Sequence, residues 1–243
     1  MTLHIERRDR VAILTLDDAE RRNALTDPLV ADIVASMGAL EADDSVGAVV
    51  ITGAPPAFCA GADLANLTSL SSGGNQDPEG VREIYEGFLR VHSSSLPTIA
   101  AVNGPAVGAG FNLALACDLR LVSPRARFDS RFVQIGLHPG GGHTWLLERA
   151  VGPQAAAAMV LFGERIDGET AVTRGLAWAC VAEDGLVDAA VALADRAARA
   201  PVDLVAAAKA SLREAPFAET FEHHLRAELD RQVWSFRQGY LKI

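Results

Sequence analysis

Basic residues are the scarcer charge in this chain: 22 lysines and arginines face 31 aspartates and glutamates, for a formal net charge of −9. The mean field therefore repels phosphate backbones and anionic lipid surfaces, which argues against nucleic acid or a membrane as partner. An anionic small ligand would need local arginines. Cysteine is also scarce, and the three present (Cys59, Cys117, Cys180) are widely spaced and odd in number. They form neither a disulfide framework nor a CxxC metal pattern and read as buried thiols. No uninterrupted apolar run approaches the ~18 residues of a membrane span. The opening MTLHIERRDR reaches Glu6 and Arg7 without the apolar core of a signal peptide, so a cytoplasmic protein is expected.

What the chain does have is core. At 243 residues and 49% hydrophobic composition it can bury a substantial interior. Leu3–Arg7 and Val11–Leu16 flank the charged pair Asp9–Arg10 and predict a hairpin. Thr26 and Pro28 supply a cap and a first-turn proline, and Val30, Ile33, Val34, Met37 and Leu40 recur at helical spacing. Val46–Thr52 reads as a strand covered on both sides. Gly53–Leu64 and Val102–Cys117 each read as strand, glycine turn and helix. Between them, Thr68–Gly80 is polar and rich in glycine and serine, a loop or lid. Val81–Val91 restores helical periodicity before Pro97, Leu119–Val122 reads as a strand, and Ala126–Gly142 as an irregular region. From Pro153 onward helices dominate, interrupted by the short apolar piece Ala179–Val181. The pattern predicts a mixed α/β core over residues 1–185 and a helical region over 186–243. The last helices carry Phe217, Phe221, Leu225, Leu229, Val233 and Trp234 on one side, either a subunit contact or packing against the same chain.

The glycine turns at Gly61 and at Gly108–Gly110 are where chemistry is expected. Glycine admits positive φ and close backbone approach. The unpaired N–H groups at the start of the following helix suit an anion or a developing oxyanion, although tight packing alone would also use such glycines. Two amides from separate segments aimed at one carbonyl oxygen form an oxyanion hole, which contributes about 3 kcal/mol per donor. Leu113 occupies the place of the third glycine of a dinucleotide fingerprint, which removes that reading.

AFCAGADL together with AAVNGPAVGAGFNLALACDLRL resembles the paired signature of the crotonase superfamily, the enoyl-CoA hydratase/isomerase family. The resemblance extends through RRNAL (Arg21–Leu25), VVITG (Val49–Gly53), ARFDSRFVQIGLHPGGGHTWLLERAVG and the helical tail, nearly the whole chain. It implies an α/β spiral of ββα repeats with a C-terminal helical region for trimerisation, and assembly as trimers or dimers of trimers. It also implies binding of acyl-CoA thioesters, with coenzyme A carried by the substrate and no separate cofactor or metal. The oxyanion amides fall on Ala62 and Ala109. Ala24 and Ala60 fall where the family backbone meets coenzyme A, and Asp63 and Leu64 follow along the adenine and pantetheine path. Arg21 and Arg22 lie near that end, where phosphates would want them, or are exposed arginines after a strand.

Hydratases of this family use two glutamates, and here the matching positions hold Asn112 and Phe132. Asparagine cannot take a proton near neutral pH, and phenylalanine can neither take nor give one. The substitute acids and bases are Asp129 and His138, with His143 on the far side of the PGGG run, each with a plain structural reading beside it. Asp129 and Phe132 would share a side on a helical turn and face apart on an extended segment. The His138/His143 spacing matches no metal pattern, and His223 and His224 read as solvent-facing. Two functions follow: an acyl-CoA enzyme with an unusual proton-transfer group, or a catalytically silent acyl-CoA-binding or carrier protein, for which Phe132 makes the pocket more apolar. An orthodox enoyl-CoA hydratase is the third.

Overall fold

The structure is a computed structural model that describes residues 2–63 and 78–241. The chain opens with the strands β1 (Leu3–Arg8) and β2 (Val11–Leu16), followed by α1 (Asp27–Glu41) and β3 (Ala48–Gly53). Next come α2 (Pro78–Ser93), β4 (Thr98–Val102), β5 (Pro105–Val107), α3 (Ala109–Ala116), β6 (Leu119–Val122) and β7 (Arg127–Asp129). Then follow α4 (His143–Val160), β8 (Ile166–Asp167), α5 (Gly168–Thr173), β9 (Ala179–Cys180), α6 (Leu186–Ala198), α7 (Val202–Glu214) and α8 (Phe221–Arg237). The Thr26 hydroxyl caps α1 by accepting from the Leu29 amide, as its position before Pro28 predicts. No helix among the described residues is long and apolar enough to cross a membrane.

The larger sheet runs β1-β2-β3-β4-β6-β9, antiparallel at the opening hairpin and parallel thereafter. Strand alternation divides its side chains between two cores. Ala12, Leu14, Val49, Ile51, Ala100 and Val102 face one way, toward α1, α2 and α3. Val11, Ile13, Ala48, Val50, Ile99 and Ala101 face the other, against Leu186, Ala190, Ala194 and Ala198 of α6. Both faces of β3 are therefore buried, which is why it reads as a continuous apolar run. The alanine face of α6 lies close to the sheet: a Cβ on Gly47 would sit 2.6 Å from Ala198 Cα.

This places α6 within the core, not in the helical appendage expected from residue 186 onward. An alanine-rich face registers weakly as hydrophobic, and only contact with a covered sheet reveals what it does. The helices outside the sheet begin at α7, anchored by the buried Lys209, whose Nζ donates to Leu96 O at 2.5 Å and pairs with Asp118 at 2.6 Å. No residue of α8 is buried, and Phe221 is 82% exposed.

The smaller sheet, β5-β7-β8, carries the site. β5 and β7 are parallel, with Val107 opposite Asp129, so the region expected to be irregular contains a short strand that enters the glycine turn in register. The helix expected after Gly61 and most of the loop over Thr68–Gly80 lie outside the described residues. Pro78 to Gly80 belong to the first turn of α2. The helices expected on either side of Pro153 join as α4 across Gly152, which leaves helical geometry at φ 77°, ψ 169°.

Candidate active site

Two glycine turns meet at the head of α3. The segment from Phe58 to Ala62 runs along β5: the amides of Phe58 and Cys59 both donate to Pro105 O at 3.1 Å, and Val107 N donates to Cys59 O at 3.0 Å. Leu25 N then donates to Gly61 O at 2.8 Å, which fixes the second turn against the loop after β2. The approach is too close for side chains. A Cβ on Gly110 would lie 2.2 Å from Cys59 O, and one on Gly61, at φ 107°, would lie 2.8 Å from Val107 O and 3.8 Å from Ala109 N. Ala109 is the first residue of α3, so its N–H has no intrahelical acceptor. Among the described residues neither the Ala62 nor the Ala109 amide donates to a backbone carbonyl. Both residues line a cavity of about 710 Å³.

The outer part of the cavity is built by the Arg21–Leu25 loop. Asn23 is fully buried; its Nδ2 donates to Ala54 O and Ala57 O at 2.8 Å each, and its Oδ1 accepts from Asp18 N at 2.9 Å. Arg22 and Asn23 both adopt left-handed backbone, at φ 53° and 59°, and Ala60 N donates to Arg22 O at 3.0 Å. Arg21, Arg22, Ala24, Ala60 and Asp63 all border the cavity. Leu64 lies outside the described residues.

At the inner wall a hydrogen-bonded chain runs through three buried side chains. Asn112 Nδ2 donates to Gly140 O at 2.9 Å, which turns its Oδ1 toward His143 Nδ1 at 2.7 Å. His143 Nε2 lies 2.8 Å from Ser130 Oγ. Burial pushes the His143 imidazole down to about 4, so the ring is neutral at pH 7 and carries a single N–H. That proton must be on Nδ1, because only a donor satisfies Asn112 Oδ1, and Nε2 is then the acceptor of the Ser130 hydroxyl. Asn112, Ser130 and His143 are each about 1% exposed, and Asn112 and Ser130 also line the cavity. The rings of Phe111 and Phe132 close around the imidazole, with centroids at 5.3 and 5.0 Å.

Several expected site residues thus come together: Ala62, Ala109, Asn112 and Phe132 line one cavity. Asp129 does not join them. It precedes Ser130 on an extended segment and so points the opposite way, with its carboxylate held by Arg131 at 2.6 Å and Arg165 at 3.0 Å, and it is absent from the cavity lining. Between Asp129 and Phe132 the backbone turns through Arg131 at φ 59°, so neither a helical turn nor a continuous strand relates them. His138 borders the cavity, is exposed, and donates Nδ1–H to Pro139 O at 2.8 Å. His223 is exposed, whereas His224 is half-buried, 3.5 Å from Glu228. The thiols of Cys59 and Cys117 are buried and pushed up to about 12, which makes them inert; Cys180 is half-buried.

Ser130 and Tyr85 were not foreseen. Tyr85 reads in sequence as one more apolar position of α2, yet its phenol borders the cavity beside Gly140 and accepts the Gly141 N–H. Ser130 is an unremarkable residue between two charged ones. Its only sequence signal is that the strand places it on the opposite face from Asp129.

Fold and cavity together describe an α/β protein with a pocket bordered by Ala62 and Ala109, whose amides donate to no backbone carbonyl among the described residues, and by Arg21 and Arg22. Comparison with known proteins gives the family. The profile described as Enoyl-CoA hydratase/isomerase matches residues 6–239, and the chain belongs to that family, with the crotonase fold. It is 52% identical over 230 residues to a probable enoyl-CoA hydratase of Mycobacterium tuberculosis, covering 93% of this chain and 88% of that protein. It is 33% identical over 238 residues to the 1,2-epoxyphenylacetyl-CoA isomerase of Escherichia coli, covering 94% and 87%. Its structure superposes on that of a probable enoyl-CoA hydratase/isomerase from Mycobacterium abscessus with a TM-score of 0.87 at 30% identity, covering 96% of this chain and 90% of the other.

Proposed function

We propose that this protein is an acyl-CoA enzyme that polarises a thioester carbonyl between the Ala62 and Ala109 amides and stabilises the enolate or tetrahedral oxyanion that develops there. The observation that carries the reading is the meeting of the two turns, which brings Ala62 and Ala109, whose amides have no backbone acceptor among the described residues, to one cavity. Such donors act at the charge that forms in the transition state and need no reorganisation. Arg21 and Arg22 at the mouth suit the phosphates of coenzyme A, which the acidic chain would otherwise repel. No cofactor is required beyond the coenzyme A that the substrate carries.

Asn112 and Phe132 stand where hydratases of the family place their glutamates, so water activation by a carboxylate pair is not the mechanism we favour. Asp129, tied to two arginines on the other side of its strand, is a poor substitute base. His138 reaches the cavity and stays a candidate. A hydratase and an isomerase both appear among the relatives, so the scaffold is compatible with more than one reaction on the same polarised carbonyl. The second reading, a silent acyl-CoA-binding or carrier protein, is favoured by the Phe132 ring at the inner wall, which offers contact to an acyl chain and no proton. The exposed apolar residues Phe221, Leu225 and Leu229 of α8 suit a contact between subunits of a trimer or hexamer.

Proline is tolerated at the first position of a helix, so Ala109→Pro removes the proposed donor with little effect on α3. Turnover of a panel of acyl-CoA thioesters should fall about hundredfold or more, with helical content retained. Unchanged turnover would refute the oxyanion hole, and binding without any product from the native protein would favour the silent reading.

A further inference from the structure

The chain Asn112–His143–Ser130 has a direction and an end. Asn112 is oriented by the Gly140 carbonyl, it sets the imidazole tautomer, and the imidazole accepts the serine proton. The chain ends on the hydroxyl of Ser130, a buried residue that borders the cavity, and among the described residues no donor occupies the lone pairs of Ser130 Oγ. A hydroxyl with its proton committed to a neutral imidazole and its oxygen otherwise free is the arrangement of an activated nucleophile, the base in turn being oriented by a third group. Ser130 also sits beside the oxyanion turn. Its neighbour Asp129 accepts the Gly108 amide at 2.9 Å, and a Cβ on Gly108 would lie 3.9 Å from Ser130 O.

We infer that Ser130 is a nucleophile for acyl transfer from the thioester, with His143 as its base and Asn112 as the residue that positions His143. The inference rests on the acyl-CoA reading above and assigns that site a reaction. Ser130 Oγ bonds to the thioester carbon as its proton passes to His143 Nε2. The carbonyl π pair moves onto oxygen, facing the Ala62 and Ala109 amides. Collapse restores the carbonyl and breaks the C–S bond, and the departing coenzyme A sulfur takes the proton from His143. Water then gives a proton to Nε2, its oxygen attacks the Ser130 ester, the C–Oγ bond breaks and Oγ recovers the proton. The net reaction is thioester plus water to carboxylic acid plus coenzyme A thiol.

His138 also borders the cavity, but among the described residues its ring bonds to Pro139 O, whereas the Ser130 hydroxyl bonds to His143. Asp129 is engaged by Arg131 and Arg165, and the Tyr85 phenol accepts from Gly141 with its own ionisation pushed up by burial. Asparagine in place of a carboxylate fixes the tautomer but gives the imidazolium no counter-charge, so turnover should be slow and the acyl-enzyme long-lived.

The test uses the full chain with acetyl-, butyryl- and octanoyl-CoA, acid-quenched and examined by intact mass and peptide mapping, with thiol release followed in parallel. The inference predicts an acyl mass on the peptide containing Ser130, thiol release reduced about a thousandfold in Ser130→Ala, and the adduct regained as a thioester in Ser130→Cys. His143→Gln should lose the adduct too. Because the imidazole is already neutral, the native rate should be flat from about pH 5.5 to 8 and fall below about pH 5, as His143 protonates and can no longer accept the Ser130 proton. Binding of a non-cleavable thioether analogue of butyryl-CoA, measured by calorimetry, separates the two levels of the argument. Analogue binding with no adduct and with thiol release or other turnover indifferent to Ser130→Ala overturns the nucleophile and leaves the acyl-CoA reading standing. Failure of the native protein to bind the analogues at all overturns both.

Discussion

Lowering the pH should unfold this protein partly through one residue. His143 is about 1% exposed, and burial pushes its imidazole from the ordinary 6.5 down to about 4. In the unfolded chain the same ring protonates near 6.5. Between those values the unfolded state therefore holds the extra proton, and stability falls as pH falls from about 6.5 to about 4, then levels off for this group. At about 1.4 kcal/mol per tenfold change in proton activity, the window from 6.5 to about 4 amounts to about 3 kcal/mol. Several carboxylates are also held low in the native state, among them Glu41, through its bonds with Arg90 and the residues beside it against the opposing effect of burial. They contribute acid sensitivity of their own. A comparison with His143→Gln isolates the imidazole, because those carboxylates are common to both proteins. Urea unfolding at pH 7, 6, 5 and 4, at one fixed protein concentration, should show the native protein losing about 3 kcal/mol more than the variant. Parallel pH profiles would refute the buried neutral imidazole and, with it, the assigned tautomer.

Gly110→Ala should destabilise the fold by about 2–4 kcal/mol, since its Cβ would sit 2.2 Å from Cys59 O and force the two turns apart. The check is a urea midpoint together with a loss of acyl-CoA affinity larger than stability alone explains. Asn23→Ala strands the Asp18 amide and the Ala54 and Ala57 carbonyls in a buried loop, and should cost about 2–4 kcal/mol by the same denaturation measurement.

Much of the sheet was legible because burial imposes period. β2 and β3 alternate between two cores and so read as apolar on both faces, while α1 announces itself through Thr26 and Pro28. The place of α6 was not legible: its buried face is Leu186 and three alanines, which look no different from solvent-tolerant helix until Gly47 is seen against Ala198. At the site, the glycines and the family resemblance pointed to Ala62 and Ala109, and Asn112 and Phe132 stood out by what they are not. The polar chain was invisible because its members are 13 and 31 residues apart and joined only by tertiary packing. Asp129 stood among the candidate bases for a related reason. Its charge is conspicuous in sequence, whereas the arginines that occupy it, and the strand that turns it away while turning Ser130 inward, are matters of three-dimensional placement.

The central claim is that two backbone amides polarise a thioester carbonyl. Infrared difference spectroscopy of bound acyl-CoA carrying a carbon-13 label at that carbonyl reads this directly, because hydrogen bonds from Ala62 and Ala109 weaken the C=O bond. With a thioester bound under conditions too cold or too brief for turnover, the labelled stretch should move to lower frequency than in water, and Ala109→Pro should move it part of the way back. A bound thioester whose carbonyl stretch matches the free ligand in water or lies higher, in the native protein and the variant alike, would contradict the account.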